Sequence, residues 1–98
     1  MNKPIDLATA HRVLDIRYAG QGIDYDLVLR LARENTAEWL RICAVEADGN
    51  STAAAETADT CLDSGDFGGA RNFRAECYNE ATRADTLRAA IEIIEFAS

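Results

Sequence analysis

Between Ile42 and Ala70 the chain has no lysine and no arginine, while Glu46, Asp48, Glu56, Asp59, Asp63 and Asp66 put six negative charges there. Elsewhere charge nearly balances, with six basic and six acidic side chains in residues 1–41 and four against five in residues 71–98. Almost all of the net −7 is therefore local. Binding nucleic acid directly depends on lysine and arginine neutralising phosphates, so that class is excluded. Charge confined to one stretch governs association and partner choice more than it governs fold.

Other shortages exclude other classes. No segment alternates apolar and polar residues for long enough to make a strand. No apolar run approaches the ~20 residues that span a bilayer. The opening Met-Asn-Lys-Pro-Ile-Asp lacks the apolar stretch of a signal peptide, so a cytoplasmic location is expected. The one histidine, His11, has no serine or cysteine and orienting acid to complete a triad, and reads as a helix-surface residue. Three cysteines, Cys43, Cys61 and Cys77, contain no CxxC pair and give no zinc pattern. They read as reduced thiols acting as small core residues; the alternative, a disulfide between helices, is opposed by cytosolic redox conditions. The seven aromatics are scattered as core and boundary residues, not as a platform for stacking bases. Asp66-Phe67-Gly68 spells the metal-binding triplet of protein kinases, but neither a Gly-rich loop nor a catalytic loop accompanies it. No catalytic, metal or cofactor site is expected.

What remains is strongly helical. At 98 residues, 48% hydrophobic and 28% charged, the composition is that of one soluble globular domain, residues 1–98. A first helix is predicted from Asp6 to Ala19, closed by Gly20, with Leu7, Ala10, Leu14 and Tyr18 on one face. A second opens at Asp24, with Ile23 and Val28 as a hydrophobic staple, and runs to Ala47. Asn35 to Glu38 also reads as a capping box, so a kink or fresh start there is the alternative. Beyond it Trp39, Leu40 and Cys43 are expected to face inward, and Asp48-Gly49-Asn50 to end the element. A short third helix follows, Ser51 to Asp63, with Ser51 or Thr52 as cap and Ala54, Ala55, Ala58, Cys61 and Leu62 on its apolar side.

The last helix, Phe67 to Ala97, carries the strongest periodicity. Ala70, Cys77, Ala84 and Ile91 recur every seven residues, as do Phe73, Glu80, Leu87 and Ile94, and Glu80 is the one charged member. Either Thr82–Asp85 marks a bend, which would turn Glu80 to solvent, or the C-terminal half reaches a second subunit through Phe73, Cys77, Leu87, Ile91 and Ile94. In that second case Glu80 would set register. The fold class expected is all-α, a small antiparallel bundle of four to five helices, with a homodimer through the C-terminal helix as one outcome.

Glu56, Asp59, Asp63 and Asp66 stand three, four and three residues apart, which places them on one helix face. Their ~4.5–6 Å axial spacing is comparable to that of phosphates along a strand. The plain alternative is a solvated outer face.

The run Leu62 to Ala70 resembles the turn between the two helices of a tetratricopeptide repeat, through Gly65, Asp66, Phe67 and Ala70, with Ala58 and Cys77 at small positions on either side. About thirty residues are covered, Arg74 and Thr82 depart from the pattern, and no second copy follows at the ~34-residue period. The resemblance implies a tight helical hairpin and no repeat array. In size, acidity and helical content the chain is similar, at the level of class only, to small phage accessory proteins such as anti-CRISPR proteins and DNA mimics. The function expected is a non-enzymatic inhibitor or modulator that offers Glu46, Asp48, Glu56, Asp59, Asp63 and Asp66 to a basic surface of a larger protein. A homodimeric adaptor is the alternative.

Overall fold

A computed structural model describes residues 6–97. Over those residues the chain is all-α, with four helices and no strand: α1 (Leu7–Tyr18), α2 (Tyr25–Glu34), α3 (Ala37–Asp63) and α4 (Phe67–Ala97).

Each helix start is fixed by a side-chain oxygen that satisfies backbone donors of the first turn. The Asp6 carboxylate accepts the Thr9 N–H at 2.7 Å. Asp24 accepts the Asp26 and Leu27 N–H groups. Thr36 Oγ1 accepts the Trp39 N–H at 3.1 Å, and Asp66 accepts the Gly69 N–H at 2.9 Å. These four groups remove orphan donors at every N-terminus. Thr36, not Asn35, is the cap of the fresh start; Asn35 instead closes α2 through its own N–H on the Leu31 carbonyl.

Beyond that point the expected boundaries are corrected. Asp48-Gly49-Asn50 does not end a helix, and Ser51 does not begin one: α3 is continuous for 27 residues. A single Gly inside a helix costs only about 1 kcal/mol relative to Ala. Ala47 and Ala54, on either side of it, are buried, and Asp48 is held by Arg88. α4 is likewise continuous for 31 residues, through Thr82–Asp85.

The α3–α4 connection is as tight as the sequence implies. Gly65 takes φ +80°, while the Asp66 N–H reaches the Cys61 carbonyl at 2.8 Å and the Gly65 N–H the Leu62 carbonyl at 3.1 Å. That pair of bonds is a Schellman motif, which needs a left-handed residue at the Gly65 position. Both helices are far longer than a 34-residue repeat accommodates.

The result is an antiparallel two-helix rod, 52 Å in the longest dimension and 16 Å in the shortest, with α1 and α2 packed at the end away from the turn. Leu14, Val28, Leu29, Leu40, Leu87, Ile91, Ile93 and Ile94 fill the core there. Leu87, Ile91 and Ile94, read from sequence as a surface for a second subunit, are buried in the chain's own core instead. Their counterpart on α3 is an apolar series at matching spacing, mostly of small residues: Leu40, Ala47, Ala54 and Cys61 stand seven apart. Trp39 is corrected too: it is 54% exposed, while Leu40 beside it is buried.

Core residues stop at Ala47 on α3 and begin at Ala84 on α4. Nearer the turn only Ala54, Ala58 and Ala70 are fully buried, so half of the rod is an arm two helices thick. A polar group marks the transition. Ser51 Oγ donates to the Cys77 carbonyl at 3.0 Å and lies 3.3 Å from its Sγ, and Glu80 sits half-buried one turn further along α4.

Candidate functional site

The acidic residues fall into distinct groups once the fold is known. Glu56, Asp59 and Asp63 are exposed on α3 along the arm, and none of the three has an ion pair or side-chain hydrogen bond among the described residues. They face away from Ala54, Ala58 and Cys61, as three- and four-residue spacing around a helix requires. The ridge from Glu56 to Asp63 is ~10 Å long at 1.5 Å per residue. Asp66 is exposed at its tip, but its carboxylate is engaged as the α4 cap. Glu46 is exposed on α3 nearer the core. Asp48 is half-buried and spent within the chain: both its oxygens meet the Arg88 guanidinium, one of them at 3.3 Å from Nη1. That bidentate contact raises the Arg88 pKa above its ordinary value, the hydrogen bond to Asp48 being the main cause.

Two further pairs flank the same groove at the core end, Arg41 with Glu95 at 3.1 Å and Arg17 with Glu92 at 2.5 Å. Around a shallow depression floored by Ala44, Val45 and Ile91 these arginines gather with Tyr18. Each guanidinium is already matched by a carboxylate, so the depression offers no free cation to a ligand. Burial is the main cause raising the Tyr18 phenol above its ordinary value, with the charge of Glu92 adding to it.

His11 is exposed and stacks edge-on against Tyr25 at 4.9 Å, and Tyr25 donates to Asp15 at 2.8 Å. Cys43, Cys61 and Cys77 are free and half-buried. No group of three metal-ligating side chains occurs among the described residues, and no described helix is long and apolar enough to cross a membrane.

Sequence reasoning missed what lies beside the ridge. On the outer side of α4, Phe67, Arg71, Arg74 and Tyr78 recur at spacings of four, three and four, which is one helical stripe. All four are exposed, the two aromatics by 69% and 68%. Neither arginine has an ion pair among the described residues. Comparison with known proteins finds no family model, no curated protein and no solved structure that matches the chain.

Proposed function

We propose that this chain is a non-enzymatic binding protein, an inhibitor or modulator of the phage accessory or DNA-mimic type, that engages a basic surface of a larger protein with the α3 ridge. One observation carries the reading: Glu56, Asp59 and Asp63 stand in a row on a projecting arm, and no basic side chain among the described residues is drawn onto them. Repulsion between like charges at this spacing costs a few tenths of a kcal/mol per pair. Glu46 and Asp66 extend the same negative stretch, whereas Asp48 contributes through Arg88 to the fold. Such a ridge gives fast, salt-sensitive association, and lasting affinity requires an apolar anchor beside it.

Capture from bacterial lysate with wild type and with an Asp59→Lys/Asp63→Lys variant as baits tests this reading, followed by titration of the purified partner. A basic, nucleic-acid-binding protein held by wild type, lost by the variant and released by moderate salt is the expected result. Equal capture by both baits would remove the ridge from consideration.

The second reading, a homodimeric adaptor, was expected to use Phe73, Cys77, Leu87, Ile91 and Ile94. The last three are buried against α3 and the core, so an adaptor of this kind needs another surface.

A further inference from the structure

α3 carries two seams. The inner one holds the buried Leu40, Ala47 and Ala54. On the other side of the helix Trp39, Glu46, Ala53 and Thr60 stand seven apart, and so do Ile42, Gly49, Glu56 and Asp63. The two series interleave at steps of three and four, the pattern by which one helix presents a face to another. All eight residues are exposed. Because α3 is continuous through them, the outer seam runs ~36 Å at 1.5 Å per residue.

Its chemistry is graded from end to end. Nearest the core, Trp39 and Ile42 are 54% and 53% exposed, with Val45 beside them at 69%. An exposed tryptophan among aliphatic side chains is the kind of residue that anchors an interface. Gly49 and Ala53 stand at the middle. Nothing lies within 4 Å of where a Gly49 Cβ would be, so the chain's own packing does not require glycine there, and glycine is unfavourable inside a helix. Small side chains at a seam do let a second helix approach closely. Towards the tip the seam becomes acidic through Glu56 and Asp63, with Glu46 nearer the core. None of these three carboxylates has an ion pair among the described residues.

Charge selects the occupant. The stretch from Ile42 to Ala70 has no basic residue. A second copy laid parallel on the seam would set carboxylate against carboxylate, and an antiparallel copy would set carboxylates against Trp39 and Ile42. Neither order matches. A helix that is apolar along one half of its contact face and basic along the other half matches throughout. We propose that the outer seam of α3 is one docking strip for such a basic amphipathic helix of the partner. Its apolar half covers Trp39 and Ile42, its backbone passes close over Gly49 and Ala53, and its lysines or arginines meet Glu56 and Asp63. This inference rests on the ridge reading above and supplies the apolar anchor that the ridge by itself lacks.

Titration with a synthetic peptide tests the strip. The peptide is free of tryptophan, helix-forming and about four heptads long, with leucine at the contact positions of one half and lysine at those of the other. Trp39 is the one tryptophan of the chain, so its emission reports events at the apolar end. A saturable binding heat is expected, with a blue shift of Trp39 emission at the same midpoint. Glu56→Lys/Asp63→Lys and Trp39→Ala/Ile42→Ala should each weaken binding about tenfold or more in calorimetry, and so should Gly49→Gln, which places bulk where the helix must come close. All three variants change exposed side chains and should keep the helical circular-dichroism spectrum. Binding that the acidic swap abolishes, with Trp39 emission unmoved and Trp39→Ala/Ile42→Ala binding like wild type, overturns the strip and leaves the ridge reading standing. Binding indifferent to the acidic swap overturns both. No binding heat at all overturns the strip, and the capture experiment then decides the ridge by itself. A Trp39 shift that follows the protein's own concentration, with peptide absent, assigns the seam to a second copy and overturns the strip as well.

Discussion

Glu80 is the residue most at odds with its surroundings. Its side chain is 21% exposed and its Oε2 atom is buried without a hydrogen bond. Arg83 lies 3.8 Å from that oxygen, close enough to attract it and too far to count as a hydrogen bond. A buried acceptor left unmade costs about 1–3 kcal/mol, less where water still reaches the group. Glu80→Leu, which fills similar volume, should therefore stabilise the chain by about 1 kcal/mol in urea unfolding; destabilisation of that size would mean Glu80 holds a partner after all. Thr36 is the opposite case, a side chain whose small size hides its use. Removing its hydroxyl with Thr36→Ala should cost about 1 kcal/mol, read in the same unfolding curve. At the first helix, hydrogen bonds from Thr9 hold the Asp6 carboxyl below its ordinary 3.8. The charged cap thus contributes fully above that value and is lost as pH falls through the lowered one. The Thr9 amide should lose its protection against hydrogen exchange, measured relative to the intrinsic rate at each pH, in acid before the α3 amides do, and Asp6→Ala should remove that pH dependence.

Glycines give the sharpest contrast at the scale of the element. Gly49 lies inside α3 with nothing within 4 Å of where a Cβ would stand, so Gly49→Ala should stabilise the helix by up to about 1 kcal/mol. Gly65 is as open, but its φ of +80° is one that glycine adopts at little cost and alanine does not, and Gly65→Ala should destabilise by about 1–2 kcal/mol. Paired thermal melts of the two variants should move in opposite directions. This contrast also explains which boundaries were legible. The cap at Asp24 and the turn at Gly65 are local devices, set by one side chain or one backbone angle, and reading along the chain finds them. At Asp48-Gly49-Asn50 the local preference for a turn is overruled by distant partners, the Arg88 guanidinium and the packing of Ala47 and Ala54 against α4. Cutting α3 there hid its seven-residue series of small side chains, so the matching series on α4 lacked an intramolecular partner. Glu56, Asp59 and Asp63 were legible because their spacing falls within one helix, whereas Asp66, read onto the same face, lies beyond the end of α3 and caps α4. The stripe of Phe67, Arg71, Arg74 and Tyr78 was overlooked because charged and aromatic residues on an exposed face do not announce themselves by hydropathy.

For the whole molecule, the division into core and arm separates stability from recognition. Replacing Asp59 and Asp63 by lysine relieves repulsion and removes no internal contact. The melting temperature should hold or rise slightly, by a few tenths of a kcal/mol of added stability, while binding to a basic surface is lost. Asp48→Lys should do the reverse: it leaves Arg88 facing a like charge, so folding should suffer before recognition does. Differential scanning calorimetry on both variants beside the capture experiment distinguishes the two roles.

Because α3 and α4 run without a joint from the packed end to the tip, the projecting half has no hinge about which to swing. Whatever takes hold of the turn therefore grips a lever whose other end is Leu40, Ile91 and Ile94. A load or a bound mass at residues 63–67 would be felt as tension or reinforcement in the layer that α1 and α2 complete, some 30–40 Å away.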